Sequence, residues 1–197
     1  MDTDLEDLRK RLAALEDEFE HKLQMRRAEF QYQIKRKRVV FEQAVLDEQR
    51  RLKVRLLTFL SATRWSVLIV APMTYLLFIP VLLLDLSVSL YQSMCFPLLG
   101  IRRVKRSDYV RMDRRHLAYL NGLQKLNCEY CGYANGVIAY AREVAGRSEQ
   151  YWCPIKHAFR IKTPHLQYRN FLDYGDAQGF RDRLGDLRHQ LGDKENR

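Results

Sequence analysis

Residues 65–101 form an apolar stretch that contains a single charged side chain, Asp85. Its first part, from Trp65 to Leu84, is twenty residues without a charge, and about 20 apolar residues are enough for a helix to cross a bilayer. The rest of the chain offers too little apolar surface to surround such a segment in a soluble core. The stretch therefore predicts a segment embedded in a membrane.

One straight helix over the whole stretch would be about 55 Å long, well beyond the roughly 30 Å hydrocarbon core. Pro72, Pro80 and Pro97 each remove a backbone donor and permit a bend. Basic residues flank the stretch on both sides, and such residues mark the cytoplasmic side of a membrane. We therefore expect a helical hairpin with Asp85 near its tip. A single span over residues 65–85, followed by a helix at the interface, is the alternative.

The N-terminal part, residues 1–64, contains neither glycine nor proline and consists mostly of good helix formers. Its apolar pairs recur every eleven residues, at Leu8/Leu12, Phe19/Leu23, Phe30/Ile34, Phe41/Val45 and Leu52/Leu56. This period keeps them on one face of a nearly straight coiled coil. So narrow a stripe does not stabilise a lone helix. We therefore expect one long helix that self-associates, making the protein a homo-oligomer.

The same helix could instead lie on a membrane surface, with the basic run Lys35–Arg38 near the lipid headgroups. Its apolar face is narrow for that role. The net charge of +10 favours a negatively charged neighbour, either anionic lipid or nucleic acid. A short charge run is most often a solvated face. The sequence therefore favours membrane lipid as the partner and disfavours nucleic acid.

Three cysteines and one histidine in the C-terminal part have the spacing of metal ligands. They are Cys128, Cys131, Cys153 and His157, a C-x2-C…C-x3-H set. Three thiolates and one imidazole are a standard tetrahedral shell for zinc. The sequence therefore predicts a structural zinc site with these four ligands. An iron–sulfur cluster, a redox-active C-x2-C pair and buried thiols without a metal are the alternatives.

Helices are expected over residues 107–126 and residues 133–151. Cys153 is predicted to cap a further helix that begins at Pro154, and this helix would bring His157 to the same face as Cys153. A thiolate at a helix N-terminus is stabilised by the helix dipole. The metal would thus join the two ends of the second helix.

Asp113 and His116 lie three residues apart on the first of these helices and would face the same way. They are candidates for further metal ligands or for an acid–base pair, although a polar surface patch is the simpler interpretation. His165 is a reserve ligand. Residues 102–172 are thus predicted to form a helical metal-binding domain, and residues 173–197 a flexible charged tail.

Two blocks, Leu126–Glu143 and Tyr151–Ala158, carry a resemblance. They resemble a group of small uncharacterised bacterial membrane-associated proteins that share Asn-Cys-x-Tyr-Cys followed by Tyr-Trp-Cys-Pro-Ile-Lys-His-Ala. The resemblance implies a bacterial source and hence the inner (cytoplasmic) membrane, and it brings no catalytic residues with it. The acidic N-terminus lacks the apolar region of a signal peptide. Together with the membrane hairpin, this places both termini in the cytoplasm.

These features predict an all-α protein with a long coiled-coil helix, a Pro-kinked membrane hairpin and a small helical zinc domain. The expected function is that of a membrane-anchored oligomeric scaffold or adaptor, which could also hold a further protein partner. The alternative is a membrane-bound metalloenzyme or iron–sulfur redox protein that uses the thiolates with Asp113 and His116. The sequence favours the non-enzymatic role.

Overall fold

The computed structural model describes residues 2–29, 32–35, 38–41 and 43–192. Their helices are α1 (Asp2–Glu29), α2 (Gln43–Arg51), α3 (Leu56–Ala62), α4 (Trp65–Leu76), α5 (Phe78–Leu98), α6 (Arg106–Tyr109), α7 (Gly122–Trp152) and α8 (Ala177–His189). The strands are β1 (Tyr32–Lys35) and β2 (Arg38–Phe41), and 3₁₀ turns lie at Arg114–His116 and Leu166–Asn170. The predicted helical class is confirmed in outline, with one short β-hairpin added.

The chain divides into two compact units. The first contains Met1–Ser61 and Asp113–Leu126, and the second contains Ala62–Met112 and Asn127–Arg197. The apolar segment and most of α7 therefore share a unit, although the sequence predicts separate parts for them.

The predicted continuous helix over residues 1–64 is wrong. α1 ends at Glu29, and β1 and β2 form an antiparallel hairpin that pairs Ile34 with Val39. The hairpin is rich in β-branched and aromatic residues, which favour strands, and the narrow apolar stripe does not stabilise a helix against them. The eleven-residue repeat therefore does not follow one helix. Phe30 of the repeat, and Arg36 and Lys37 of the basic run, lie outside the described residues.

α1 exposes apolar side chains of the stripe that is predicted to form a coiled coil. Leu12 and Phe19 of the repeat are 41% and 64% exposed, and Leu15, one turn after Leu12 on the same face, is 62% exposed. A coiled coil needs a second helix against such a face, and no described residue covers these three side chains. Self-association through α1 therefore stays a prediction.

α4 and α5 make the apolar segment one helical stretch. Leu77, the residue between them, has φ −63° and ψ −12°, so the chain continues onward and does not fold back. The interruption follows from Pro80, whose ring crowds the carbonyl of Leu76 and whose nitrogen cannot donate to it. Pro80 itself lies in the first turn of α5, where proline is tolerated. The predicted hairpin is wrong, and Asp85 lies within α5 instead of at a tip.

Gly100 reverses the chain after α5. Its φ of 68° lies in the left-handed region, which glycine adopts at no steric cost. The Ile101 N–H donates to the Phe96 carbonyl at 2.8 Å, a bond typical of a helix C-cap around such a glycine. The extended residues that follow run back along α5, where the Val104 N–H donates to Gln92 Oε1 at 3.0 Å.

The described part of α7 that belongs to the second unit packs alongside α4 and α5 in the same direction. Tyr75 donates to Asn127 near the start of the contact, and the Tyr91 hydroxyl lies 3.1 Å from Ser148 Oγ further along. The core of this unit joins α5, the returning segment, α7 and the end of the chain. It consists of Phe96, Ile101, Val104, Tyr140, Val144 and Leu191.

The helix predicted over residues 107–126 is replaced by α6, an extended segment and a 3₁₀ turn. The helix predicted over residues 133–151 is present, but it is part of the longer α7. α7 starts early because Asn121 caps it, accepting from the Gln124 N–H at 2.9 Å.

Residues 177–192 are packed against the rest of the second unit, whereas the sequence predicts a flexible tail over residues 173–197. α8 buries Leu187, and Gln150 Nε2 donates to the Leu187 carbonyl at 2.7 Å. The Arg102 N–H donates to the Leu191 carbonyl at 3.0 Å. Residues 193–197 lie outside the described part of the chain.

Candidate functional site

The structure does not bring the four predicted metal ligands together. Cys128 and Cys131 lie in the second and third turns of α7, whereas Cys153 follows its last residue. A helix rises about 1.5 Å per residue, so Cys131 and Cys153 are about 33 Å apart along the axis. One ion cannot contact both, and the described residues contain no group of three or more His, Cys, Asp or Glu placed to hold a metal. A shared Cys3His site would require α7 to unwind. Zinc and the iron–sulfur alternative thus remain predictions from the sequence alone.

Cys153 does not cap a helix. Its N–H donates to the Glu149 carbonyl at 2.7 Å, so it extends the hydrogen bonding of α7, and the chain beyond it is extended. His157 lies on the surface, where its ring stacks on Tyr168 at 5.9 Å between centroids. The common helical face predicted for Cys153 and His157 is therefore not formed.

Asp113 and His116 close the 3₁₀ turn through their backbones, with the His116 N–H donating to the Asp113 carbonyl at 3.1 Å. Both side chains are exposed. Within the described part of the chain, no hydrogen bond or ion pair joins these two side chains. The arrangement matches the simpler interpretation of a polar surface turn.

A buried carboxylate in α5 is the most densely bonded polar group of the second unit. Asp85 accepts from Arg106 Nη2 at 2.6 Å and from Arg106 Nε at 2.9 Å. The Tyr133 hydroxyl donates to Asp85 Oδ2 at 2.8 Å. Burial raises the pKa of Tyr133, and its hydrogen bond to Asp85 raises this pKa further. The phenol therefore remains a neutral donor to Asp85.

Gln92, two turns further along α5, continues this network. Its amide bonds both backbone groups of Val104, donating to the carbonyl at 3.2 Å and accepting from the N–H at 3.0 Å. It also donates to the Tyr140 hydroxyl, which lies 3.4 Å from Ser89 Oγ. Asp85 and Gln92 thus join α5, the returning segment and α7, a role that holds the fold together.

A second polar cluster fixes the loop after Cys153 onto α7. Glu143 Oε1 accepts from Arg147 Nε at 2.9 Å and from Gln167 Nε2 at 2.7 Å. His165 Nε2 lies 2.9 Å from Glu149 Oε2, and His165 Nδ1 lies 3.2 Å from Gln167 Oε1. Both ring nitrogens of the reserve ligand His165 are therefore engaged within the protein.

The opposite side of α4 and α5 is exposed and apolar. Ten large side chains recur there every three or four residues, and each is more than half exposed. We call this surface the apolar stripe: Trp65, Ile69, Met73, Leu76, Ile79, Leu83, Leu86, Leu90, Met94 and Leu98. Among the described residues, Trp65–Leu98 is the one helical stretch long and apolar enough to cross a membrane, and an 18-residue window within it has a mean hydropathy of 2.5.

Basic side chains border the apolar stripe. Arg103 Nη2 donates to the Ser93 carbonyl at 2.9 Å, which holds its guanidinium against α5 next to Met94. Lys105 is exposed two residues further on, and Arg64 is exposed immediately before α4. Arg64 and Arg103 thus place cations next to the stripe, and Lys105 is a further exposed cation of the segment that returns along α5.

The chain matches no protein-family model, no curated protein and no solved structure.

The sequence does not predict the partners of Asp85. A pattern nevertheless points to them, because Asp85, Ser89 and Gln92 are polar at helical spacing inside an apolar run. Such spacing indicates a buried polar face that requires partners. It does not reveal that Arg106 and Tyr133 are the partners.

Proposed function

We propose that this protein is a membrane-anchored scaffold or adaptor whose anchor is the apolar stripe. The stripe runs for about 50 Å along α4 and α5. Soluble monomers rarely expose a contiguous apolar surface of this size. This exposed strip is the observation that carries the proposal.

Lipid suits the stripe better than a second copy of the chain. Arg64 and Arg103 lie next to it, Lys105 is exposed in the segment that returns along α5, and a cation near an anionic bilayer gains about 1 kcal/mol. In a symmetric dimer through this face, the same cations would approach one another. The charge pattern therefore favours an anionic membrane.

The anchor is proposed to lie in the plane of one leaflet. If α5 crossed the bilayer, the residues packed along it would enter the hydrocarbon as well, among them the charged side chains of Arg103 and Arg106. Ionised groups there are costly. An amphipathic element with an apolar face below and a polar face above has the character of an interfacial anchor. This orientation keeps both ends of the chain on the cytoplasmic side.

A scaffold role agrees with the chemistry of the second unit. The clusters around Asp85 and Glu143 are paired internally and connect helices, so they serve stability. α1 has a separate exposed apolar face, which includes Leu12 and Phe19 and is available for self-association. The proposed location, from the bacterial resemblance, is the cytoplasmic side of the inner membrane.

Vesicle flotation tests the anchor. Wild-type protein should float with vesicles of phosphatidylcholine and phosphatidylglycerol, and the double variant Leu83→Glu/Leu90→Glu should remain in the soluble fraction. Phe159→Glu is the matched control, because Phe159 is 87% exposed but lies outside the stripe. If the double variant floats as well as the control, the apolar stripe is not the anchor.

A further inference from the structure

The first unit contains a cavity of about 410 Å³ next to the start of α7. Its lining residues are Arg50, Lys53, Val54, Arg55, Leu56, Asn121 and Gly122. The loop before α7 is held against α2, since the Ala118 N–H donates to Gln49 Oε1 at 3.1 Å. The two walls are therefore fixed by a direct contact.

Asn121, one of the lining residues, carries a buried amide donor. The residue is only 2% exposed. Its Oδ1 accepts from the Gln124 N–H at 2.9 Å, and its own N–H donates to Gln124 Oε1 at 2.9 Å, which is a reciprocal helix cap. The cap uses the side-chain oxygen of Asn121 as an acceptor, whereas Nδ2 has no hydrogen-bond partner. It is the one buried side-chain nitrogen or oxygen without a partner in the described part of the chain. A buried donor without an acceptor is costly, so this atom is a donor that an acceptor from outside the chain could use.

The N-terminus of α7 adds further donors. The N–H groups of Gly122 and Leu123 are in the first turn and have no partner within the helix. α7 is 31 residues long, and the N-terminus of a long helix attracts negative charge. A Cβ built at Gly122 would meet nothing within 4 Å, so a ligand can approach the backbone there.

The charge of the lining residues selects an anion. Three of them are cationic and none is acidic. Arg50 already pairs with Asp47 at 2.9 Å. Lys53 and Arg55 therefore supply the positive charge that a ligand would neutralise.

We infer that this cavity binds a phosphate group. Asn121 Nδ2 and the first-turn N–H groups of α7 donate to the phosphate oxygens, and Lys53 and Arg55 balance the charge. The phosphate belongs either to a soluble molecule or to the headgroup of a lipid such as phosphatidic acid. The site is separate from the apolar stripe, so membrane anchoring does not depend on it.

Asn121→Asp is the most informative variant. Aspartate keeps the oxygen that caps α7, but it replaces the amide donor with a carboxylate oxygen that repels phosphate. Arg55→Gln removes a cation from the lining, and Arg51→Gln is its matched control because Arg51 lies in α2 outside the lining residues. Circular dichroism and the melting temperature verify that each variant is folded.

The first measurement is calorimetric titration of the full chain, in neutral phosphatidylcholine nanodiscs, with inorganic phosphate. We expect saturable binding by wild-type protein and by Arg51→Gln. Binding should weaken at least about tenfold in Asn121→Asp and Arg55→Gln, the loss expected for a charge-assisted hydrogen bond.

The second measurement identifies the source of the phosphate. Phosphatidylcholine vesicles receive equal mole fractions of phosphatidic acid, a monoester, or phosphatidylglycerol, a diester. If the ligand is a lipid headgroup, Asn121→Asp weakens binding to the phosphatidic acid vesicles and leaves binding to the phosphatidylglycerol vesicles unchanged. If the ligand is a soluble molecule, this variant loses the binding of inorganic phosphate. It then binds the phosphatidic acid vesicles and the phosphatidylglycerol vesicles as well as wild type does.

Two results would overturn the inference. One is a folded Asn121→Asp variant that matches wild type with both phosphate and phosphatidic acid. The other is an equal loss in Arg51→Gln and Arg55→Gln, which indicates general charge attraction without a site. Loss of vesicle binding by the stripe variants is a separate result and does not affect either outcome.

Discussion

Arg106 binds both carboxylate oxygens of Asp85, although 21 residues separate them in the chain. The side chain of Asp85 is 9% exposed and that of Arg106 is 43% exposed. Because the segment after α5 turns back at Gly100, the basic residues that follow the apolar segment lie alongside it. The basic residues that follow the apolar segment thus supply the counterion of the carboxylate within it.

Removing the arginine should leave a buried carboxylate without its counterion. We expect Arg106→Met to lower the free energy of unfolding by about 3 kcal/mol, the low end for a broken buried pair because Arg106 is partly exposed. The double variant Asp85→Leu/Arg106→Met should recover most of this loss, since an apolar pair avoids the buried charge.

Denaturant unfolding in mild detergent, followed by circular dichroism, measures these differences. Arg103→Met is the control, because an exposed arginine contributes at most about 1 kcal/mol. Equal losses in Arg103→Met and Arg106→Met would show that the pair contributes little.

The depth of the anchor distinguishes an in-plane helix from a crossing helix. With Trp65 and Trp152 replaced by phenylalanine, single tryptophans at Met73, Leu83 and Met94 report three points along the stripe. An in-plane helix predicts equal quenching of all three by lipids brominated at a shallow depth. A crossing helix predicts the deepest position at the centre of the series, so unequal profiles would refute the orientation proposed above.

Gly136 lies in α7 where the backbone of the preceding segment comes close. A Cβ there would lie 2.8 Å from the Tyr109 carbonyl oxygen and 2.9 Å from Val110 Cα. Alanine normally stabilises a helix interior by about 0.5–1 kcal/mol relative to glycine. At Gly136 we expect the opposite sign, a loss of about 1–3 kcal/mol from overpacking.

Gly185 in α8 provides the matched control, since a Cβ built there meets nothing within 4 Å. Gly185→Ala should raise the melting temperature while Gly136→Ala lowers it. The close approach of the two segments would be in doubt if both substitutions stabilised the protein.

Self-association through α1 is tested by one substitution on the exposed apolar face of that helix. Leu15→Lys should shift the protein toward monomer in sedimentation velocity in detergent, because a charge in a coiled-coil seam is costly. Gln24→Lys introduces the same charge on the opposite side of the helix and should leave the oligomer intact. An identical distribution for both variants would exclude α1 as the contact.

Thiol reactivity tests the metal prediction directly. With α7 intact, Cys131 and Cys153 are both exposed and about 33 Å apart, so each should react with maleimide at a rate independent of chelator. Elemental analysis of Cys131→Ser and Cys153→Ser measures bound metal in parallel. If a chelator accelerates both thiols together, the four-ligand site forms and α7 is broken in solution.

The helical character of this chain could be predicted from local sequence because spacing of apolar residues, caps and propensity act over a few residues. The helix over residues 133–151 and the apolar segment are of this kind. The hairpin of β1 and β2 is not predicted because the eleven-residue repeat runs through it and fits a helix. The β-branched side chains of the hairpin nevertheless favour strands.

The metal prediction illustrates the opposite case. The spacing of Cys128, Cys131, Cys153 and His157 suits a zinc site only if the intervening residues fold back. A continuous helix keeps positions far apart in sequence far apart in space. Because the cap formed by Asn121 starts α7 before Cys128, both cysteines of the C-x2-C pair belong to that helix.

Local sequence is sufficient to specify that residues 65–98 are helical and apolar, because hydropathy and helical spacing are properties of neighbouring residues. Tertiary contacts were needed to establish which side of that helix is polar and paired, and which side remains exposed. Arg106 and Tyr133 bind Asp85, and Val104 and Tyr140 bind Gln92, across long separations in the chain. Such contacts depend on the reversal at Gly100 and on the packing of α7, neither of which is encoded within residues 65–98.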